Sequence, residues 1–188
     1  MTVFDQAIRF AAQRHAGAVR KSGGAPYILH PMEAAVIVGT LTDDVEILAA
    51  AVLHDTVEDT DTTLTEIEAR FGPRVAALVS AETEDKLRHL TAAESWRTRK
   101  EAALSRVAES RDPAAKLLFL GDKLSNLRSI HRSWLQRGDR VWQDFNQKDP
   151  AQQAWYYREA DALLAPLRDT EAGAEFHRLV ETVFGAIN

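Results

Sequence analysis

The chain carries at residues 49–60 the stretch AAAVLHDTVEDT, in which an apolar run leads directly into polar side chains. The run at 49–53 is predicted to lie in a core. Four residues that can bind a metal ion or accept a proton follow it: His54, Asp55, Glu58 and Asp59. Residues four apart on a helix share a face, so His54 is predicted to lie beside Glu58. Asp55 is predicted to lie beside Asp59 for the same reason.

The polar end of this predicted helix has an electrostatic conflict. Carboxylates near a helix C-terminus meet the negative end of the helix dipole, and buried charges must be paired or bound to metal. A lone histidine or aspartate at a helix end is usually a solvated surface residue, and the pair His54-Asp55 indicates little by itself. The two acidic residues one turn further on favour a divalent cation as the resolution of the conflict.

Two more potential ligands lie elsewhere in the chain in apolar surroundings. His30 precedes Pro31 at a predicted loop-to-helix junction, and Asp122 follows an apolar run at 117–120, with Asn126 one turn further on. Two imidazoles and two carboxylates would form a mixed nitrogen and oxygen site with open positions, which suits manganese or iron. Magnesium prefers oxygen ligands alone, and structural zinc prefers a closed site with sulfur.

The hydrophobic pattern has a helical period along almost the whole chain, and the sequence has no alternating strand pattern. We therefore predict an all-α fold, a bundle of about eight to ten helices. Glycine and proline predict a loop at 17–29, and residues 138–150 are predicted to be irregular and polar. The predicted helices cover residues 2–16, 31–41, 43–58, a short segment ending at 71–72, 73–86, 91–109, 113–136, 151–167 and 171–187.

Composition excludes several classes of protein. The 188 residues show one composition regime, which predicts a single domain over 1–188. The chain has no cysteine, so it has no disulfide framework or zinc–thiolate site, and this is compatible with a reducing cytoplasm. The sequence has no signal-peptide pattern and no run of roughly 20 apolar residues, so no membrane partner is expected. The net charge of -5 argues against nucleic acid as a partner.

The order His30, His54-Asp55, Asp122 resembles the H…HD…D pattern of the HD phosphohydrolase superfamily. A closer similarity lies in the segments RKSGGAPYILHP (20–31), LHDTVEDT (53–60), FG (71–72) and GDKLSNLR (121–128). Together they resemble the hydrolase domain of Rel/Spo-type alarmone enzymes over residues 2–135. The chain is similar to the small alarmone hydrolases that stand alone, and this resemblance implies the all-α HD-domain helical bundle.

The resemblance also implies a reaction, the metal-dependent removal of pyrophosphate from the ribose 3′ position of guanosine tetra- or pentaphosphate. The implied ligands of one divalent metal ion, usually manganese, are His30, His54, Asp55 and Asp122. The implied catalytic pair, which positions and deprotonates the attacking water, is Glu58 and Asp59. The implied substrate contacts are Arg20, Lys21, Ser22, Lys123, Asn126, Arg97 and Tyr156.

The implied roles agree with the physical chemistry of these side chains. A carboxylate packed beside metal-bound carboxylates should have a raised pKa, which suits a general base working near neutral pH. Arg20, Lys21 and Lys123 would offset phosphate charge, so that a protein of net charge -5 can still bind an anionic nucleotide. Arg20 could also stack its guanidinium plane on a purine.

The chain departs from the family pattern in three places. Gly24-Ala25 before Pro26 makes the basic loop one residue longer than is common, Gly121 stands where alanine is usual, and Ser125 stands where His or Tyr is frequent. The first and last of these departures bear on how the base is held. None of the three removes a metal ligand.

Several alternatives stay open at the level of sequence. The same site could act on an adenine alarmone or on the 2′-phosphate of NADPH, and a non-catalytic nucleotide-binding module is a further hypothesis. Base preference, native metal and oligomeric state are not determined. Without the motifs, Arg20-Lys21 would be interpreted as a solvated loop and residues 97–100 as a solvent-facing helix surface, with lining of the cleft as the alternative. Residues 155–157 are expected to pack the C-terminal helices.

Overall fold

Helices make up nearly all of the regular structure in the computed structural model, which describes residues 1–20, 24–84, 87 and 89–187. The α-helices are α1 (Val3–Arg14), α2 (Leu29–Gly39), α3 (Val45–Leu53), α4 (Thr56–Asp59), α5 (Leu64–Phe71), α6 (Pro73–Glu82), α7 (Trp96–Glu109), α8 (Ala114–Arg137), α9 (Pro150–Leu163) and α10 (Glu171–Phe184). Two 3-10 helices cover Gly138–Asp144 and Ala165–Leu167. Within the described ranges the extended structure is limited to an isolated bridge between Val19 and Pro26, so the predicted all-α class is confirmed.

Side-chain caps mark where several helices begin. Before α1, the Thr2 hydroxyl accepts a hydrogen bond from the Asp5 amide at 3.2 Å, and the Asp5 carboxylate accepts one from the Thr2 amide at 2.7 Å. Asp44 caps α3 by accepting from the Glu46 amide at 3.0 Å. These bonds satisfy backbone amides that have no partner inside the helix. Because such caps are local, the starts of the capped helices α1, α9 and α10 lie within one residue of the predicted starts.

The predicted continuous helix at 43–58 is wrong, since the chain breaks between α3 and α4 at His54 and Asp55. His54 Nδ1 lies 2.8 Å from the Ala51 carbonyl oxygen, and the Thr56 hydroxyl donates to the Leu53 carbonyl oxygen at 2.7 Å. These side chains compete for carbonyl groups that the next helical turn would otherwise use. The break therefore occurs where the sequence places its potential metal ligands.

The predicted irregular, polar segment at 138–150 is wrong over its first half. Gly138–Asp144 forms a 3-10 helix in which Val141 and Trp142 are buried. The Trp142 ring stacks on Phe184 with centroids 5.6 Å apart. Contact with α10, which is distant in sequence, therefore orders this polar stretch.

Two buried hydrophobic clusters form the core, and helices α2 and α8 contribute to both. On α8, Leu118 belongs to the cluster that contains α1, α3, α5 and α6, whereas Phe119 belongs to the cluster that contains α7, α9 and α10. His30 lies on α2 and Asp122 lies on α8. The best-packed part of the fold therefore carries two of the predicted ligands.

Helix α8 approaches α2 at Gly121 without room for a side chain. A Cβ atom placed at this position would lie 2.7 Å from Val38 Cγ2 and 2.9 Å from the Ala34 carbonyl oxygen. Since Gly121 immediately precedes Asp122, this close approach also sets the distance between the helices that carry His30 and Asp122. The glycine is a packing requirement of this chain.

We expect Gly121→Ala to destabilise the protein by about 1–3 kcal/mol, because the added methyl group must push α2 and α8 apart. Thermal unfolding followed by circular dichroism should show a Tm lowered by about 2–4 °C for each kcal/mol. Gly39→Ala is the matched control, since its Cβ would meet Leu48 at an ordinary 3.6 Å. An unchanged Tm for Gly121→Ala would contradict this account of the packing.

Among the described helices, none combines the length and the apolar character required to cross a membrane.

Candidate active site

Four predicted ligands converge where α2, the break between α3 and α4, and the middle of α8 meet. His30 Nε2 lies 3.1 Å from Asp122 Oδ1 and 3.4 Å from Asp55 Oδ2. His54 Nε2 lies 3.2 Å from Asp55 Oδ2 and 3.6 Å from Asp122 Oδ1. Both histidines are only 3% exposed. The fold thus groups ligand atoms of His30, His54 and Asp122 closely enough to hold one metal ion. The partly exposed Asp55 carboxylate lies against both imidazoles.

Hydrogen bonding on the far side of each ring aims the Nε2 atoms at this point. His54 Nδ1 lies 2.8 Å from the Ala51 carbonyl oxygen, which can only accept, so Nδ1 carries the hydrogen. His54 Nε2 is buried and makes no hydrogen bond with any described residue. This buried nitrogen faces two carboxylates, and a divalent cation placed between them would satisfy all three groups.

The pKa values in this cluster keep its carboxylates ionised. Burial acts to raise the pKa of Asp55 and of Asp122, yet the net pKa of each lies well below the usual range. The opposing causes are His54 and His30 for Asp55, and Lys123 with the two histidines for Asp122. Two anionic oxygens and two imidazole nitrogens are the donor set of manganese, iron and similar divalent ions. The residues present therefore fit a divalent metal ion.

Glu58 and Asp59 lie beside this cluster, on the α4 turn. Burial, followed by the charges of Glu84, Asp55 and Asp59, raises the pKa of Glu58 to about 7. Glu58 Oε2 accepts a hydrogen bond from the Glu84 amide at 3.3 Å. A carboxylate with a pKa near neutrality is suited to take a proton from water at physiological pH.

Tyr27 joins the ligand cluster to the acidic pair and was not predicted as a site residue. Its hydroxyl lies 2.7 Å from Asp55 Oδ2 and 2.9 Å from Asp59 Oδ2. The His15 ring packs on the Tyr27 ring with centroids 4.9 Å apart. Tyr27 lies three residues before His30, inside the loop motif, and this position is the signal that could have identified it.

A cavity of about 370 Å³ opens beside the acidic pair. Several predicted site residues line it: Arg20, Glu58, Asp59, Lys123, Asn126 and Tyr156. Lys21 and Ser22, also predicted as substrate contacts, lie outside the described residues. The cavity therefore connects the acidic pair to most of the predicted substrate contacts that the structure describes.

A polar chain links the basic loop to the metal ligands. Arg20 donates to Asn126 Oδ1 at 2.7 Å, and Asn126 Nδ2 donates to Asp122 Oδ1 at 2.6 Å. Lys123 is buried and pairs with the other carboxylate oxygen of Asp122. A ligand phosphate that contacts Arg20 or Lys123 would thus lie close to the predicted metal site.

Arg97 is placed differently from its predicted role as a substrate contact. Its guanidinium lies 3.2 Å from the centroid of the Trp155 ring and donates to Glu101 at 2.7 Å and Gln152 at 3.1 Å. It does not line the cavity within the described part of the chain. The stacking and these two hydrogen bonds hold the Arg97 guanidinium outside the lining of the cavity.

Arg99 and Lys100 line the cavity instead. The sequence favoured a solvent-facing surface for 97–100 and kept lining of the cleft as the alternative. Glu84 holds both cations, accepting from Arg99 Nη1 and from Lys100 Nζ at 2.7 Å each. Lys100 Nζ also lies 5.0 Å from the Tyr156 ring centroid. The sequence could not predict which way the Arg99 and Lys100 side chains point, because their common partner, Glu84, lies outside their helix.

The far wall of the cavity is aromatic. Trp96, Tyr156 and Tyr157 are almost fully buried and also line the cavity. The tyrosines pack the C-terminal helices as expected, with Tyr157 stacked on Phe184 at a centroid distance of 5.2 Å. Their second role at the cavity surface provides flat apolar area on which a planar ring could stack.

Comparison with known proteins agrees with this architecture. The profile of the HD-domain family matches residues 7–169. The guanosine-3′,5′-bis(diphosphate) 3′-pyrophosphohydrolase MESH1 of Homo sapiens is 46% identical over 131 residues, which are 68% of this chain and 69% of that protein. MESH1 of Danio rerio is 44% identical over 131 residues, 68% of each chain.

A solved structure is similar over nearly the whole chain. It is described as a metazoan ortholog of SpoT that hydrolyzes ppGpp and plays a role in starvation responses. Its TM-score is 0.72 at 29% identity, with 98% of this chain and 95% of that chain covered. The chain therefore belongs to the HD-domain family and, within it, to the group that contains the MESH1 pyrophosphohydrolases.

Proposed function

We propose that the protein is a metal-dependent 3′-pyrophosphohydrolase that converts guanosine tetra- or pentaphosphate to GDP or GTP and pyrophosphate. The observation that carries this proposal is the position of Glu58, whose pKa is raised to about 7, between a buried group of metal-ligand atoms and a cation-lined cavity. We propose Mn²⁺ as the ion, held by His30, His54, Asp55 and Asp122, because the donor set mixes imidazole and carboxylate.

The side chains of the cavity divide the chemical work. Arg20, Arg99 and Lys100 offset the charge of the phosphate groups, and the aromatic wall packs against the base. The attacking water forms a bond to the phosphorus attached to the ribose 3′ oxygen, and the bond between that phosphorus and oxygen breaks. Glu58 accepts the proton of the water, and Asp59 helps to position the water. The leaving 3′ oxygen takes up a proton and becomes the 3′ hydroxyl of GDP or GTP. When bound, the divalent ion supplies Lewis acidity and lowers the pKa of water.

A substrate screen tests the proposal. Guanosine tetraphosphate, guanosine pentaphosphate, the adenine alarmone and NADPH are incubated with the protein and Mn²⁺, and the products are identified by chromatography. We expect pyrophosphate with GDP or GTP. Inorganic phosphate from NADPH at a competitive kcat/KM would favour the alternative substrate, and no pyrophosphate from either alarmone would contradict the proposal.

We expect Arg99→Ala and Lys100→Ala each to raise KM about tenfold or more, because a charge-assisted hydrogen bond to phosphate contributes about 1.5–3 kcal/mol. Steady-state kinetics of pyrophosphate release measure this effect. Arg140, exposed on the 3-10 helix, is the control, and Arg140→Ala should keep the wild-type KM. A larger effect for Arg97→Ala than for Arg99→Ala would contradict the assignment of Arg99.

We also propose that residues 1–188 form one hydrolase domain that works in the cytoplasm without nucleic acid. The supporting observations are the match of the HD-domain profile to residues 7–169 and the contribution of α2 and α8 to both core clusters. The absence of cysteine and the net charge of -5 are consistent with that location and with a small anionic substrate held by local cations.

A further inference from the structure

The Nδ1 side of His30 contacts a buried serine. His30 Nδ1 lies 2.8 Å from Ser125 Oγ, and the two residues are 3% and 1% exposed. Ser125 lies on α8, three residues after Asp122 and one turn along the same helix. The hydroxyl therefore supports one metal-ligand residue from the helix that carries another.

The direction of this hydrogen bond follows from the next one. Ser125 Oγ donates to Glu33 Oε2 at 2.8 Å, and an ionised carboxylate can only accept. A serine hydroxyl has a single hydrogen, so Oγ must accept from His30 Nδ1. His30 then carries its hydrogen on Nδ1, and its Nε2 lone pair faces Asp55 and Asp122. The opposite tautomer would place a hydrogen on Nε2 and block metal binding.

Glu33 is itself held by an ion-pair network. Arg128 Nη1 lies 3.2 Å from Glu33 Oε1, and the same guanidinium makes a bidentate pair with Glu175 at 2.7 and 2.5 Å. The network joins α2, α8 and α10. A half-buried carboxylate clamped in this way has one oxygen turned to Ser125.

The two histidines differ in what sets their tautomer. The backbone carbonyl of Ala51 orients His54, and this acceptor is present whatever the side chain. His30 depends on two side chains, Ser125 and Glu33. Loss of a hydrogen bond that orients a metal-binding histidine usually weakens metal binding about 10- to 100-fold.

We propose that Ser125 and Glu33 are positioning residues that hold His30 in the Nδ1–H tautomer required for metal binding. This inference rests on the proposed metal site. It adds that the metal affinity of the site depends partly on the hydrogen bonds that run from His30 through Ser125 and Glu33 to the ion pairs with α10. It predicts that the metal affinity of this chain can be tuned without touching a ligand or the cavity.

The test compares Mn²⁺ binding to metal-free Ser125→Ala, Glu33→Gln and Ser125→Thr proteins by calorimetry. We expect the Kd of Ser125→Ala to rise about 10- to 100-fold. We expect a rise for Glu33→Gln as well, because the amide can donate to Oγ and reverse the relay. Ser125→Thr keeps the hydroxyl and should bind close to wild type. Ser133→Ala, on the same helix, is the control for serine removal.

A spectroscopic measurement reports the tautomer directly. Long-range ¹H–¹⁵N correlation spectra of the folded proteins should show His30 protonated at Nδ1 in wild type. In Glu33→Gln the hydrogen should be redistributed between the two ring nitrogens.

A wild-type Kd and an unchanged tautomer in folded Ser125→Ala and Glu33→Gln would overturn the inference while leaving the metal site intact. Failure of wild type to bind Mn²⁺ would instead contradict the proposed function. Circular dichroism establishes that each variant is folded. If Ser125→Thr does not fold, Glu33→Gln still tests the inference, because its half-buried position tolerates the change.

Discussion

Replacing Asp122 with alanine is expected to lower kcat/KM for guanosine tetraphosphate by about 10³-fold or more, because a catalytic ion contributes several kcal/mol of transition-state stabilisation. Asp122 Oδ1 lies 3.1 Å from His30 Nε2 and 3.6 Å from His54 Nε2, so its loss removes an anionic oxygen that faces both imidazoles. Rates of pyrophosphate release and metal content by mass spectrometry measure the two consequences.

A second variant separates this effect from a loss of folding. Asp122→Ala leaves Lys123 buried without its carboxylate partner, which can cost about 3–5 kcal/mol of stability. Asp122→Asn keeps an oxygen that can accept from Lys123 or Asn126 but removes the charge. Asp122→Asn should remain folded by circular dichroism and still lose metal and activity. Wild-type activity in a folded variant of either kind would remove the basis of the metal-site assignment.

Replacing Glu58 with glutamine is expected to lower kcat by about 10²- to 10⁴-fold, the usual contribution of a general base. KM and metal content should change little, because Glu58 is not a member of the group of ligand atoms. The glutamine amide also keeps the size of the carboxylate. Single-turnover kinetics with Mn²⁺ at saturation measure the chemical step. A loss of less than about threefold would assign the base to another group, with Asp59→Asn as the next variant to test.

The raised pKa of Glu58 gives the same variant a signature in pH dependence. Wild-type kcat/KM should rise as Glu58 loses its proton, with a midpoint no higher than about pH 7, since a bound cation favours the carboxylate. In metal-free protein the folded state holds this proton more tightly than the unfolded state does. Wild-type stability should therefore fall as pH rises from the ordinary glutamate value of 4.5 to about 7.

Glu58→Gln lacks this titration, so its Tm without metal should exceed that of wild type at alkaline pH and match it at acidic pH. Thermal unfolding at a series of pH values checks the sign. A Tm difference that does not depend on pH would show that Glu58 titrates normally in the folded protein.

Much of this architecture is encoded locally. Helical periodicity, caps such as Thr2 and Asp44, and proline at the start of α6 act within a few residues, so the all-α class and several helix starts are predictable from sequence. The break inside the predicted helix 43–58 is different in kind. Side chains of His54 and Thr56 take carbonyls of α3, and periodicity alone carries no information about that competition.

The residues of the candidate site also divide into those that the sequence identifies and those whose positions only the fold decides. The motifs alone identified the resemblance to alarmone hydrolases, which the comparisons confirm, because residue types in a particular order carry chemical information that needs no coordinates. They could not tell which of the cations at 97–100 lines the cavity. The structure turns Arg97 onto Trp155 and holds Arg99 at the cavity beside Glu84.

By itself, then, the sequence determined the helical class, the family and the candidate metal ligands, because these depend on composition, period and order. The tertiary structure alone decided how those side chains are oriented. Tyr27 between Asp55 and Asp59, and Ser125 between His30 and Glu33, depend on contacts between segments up to 95 residues apart. A hydrogen bond is specified by distance and direction in space, and those are fixed only when the helices pack.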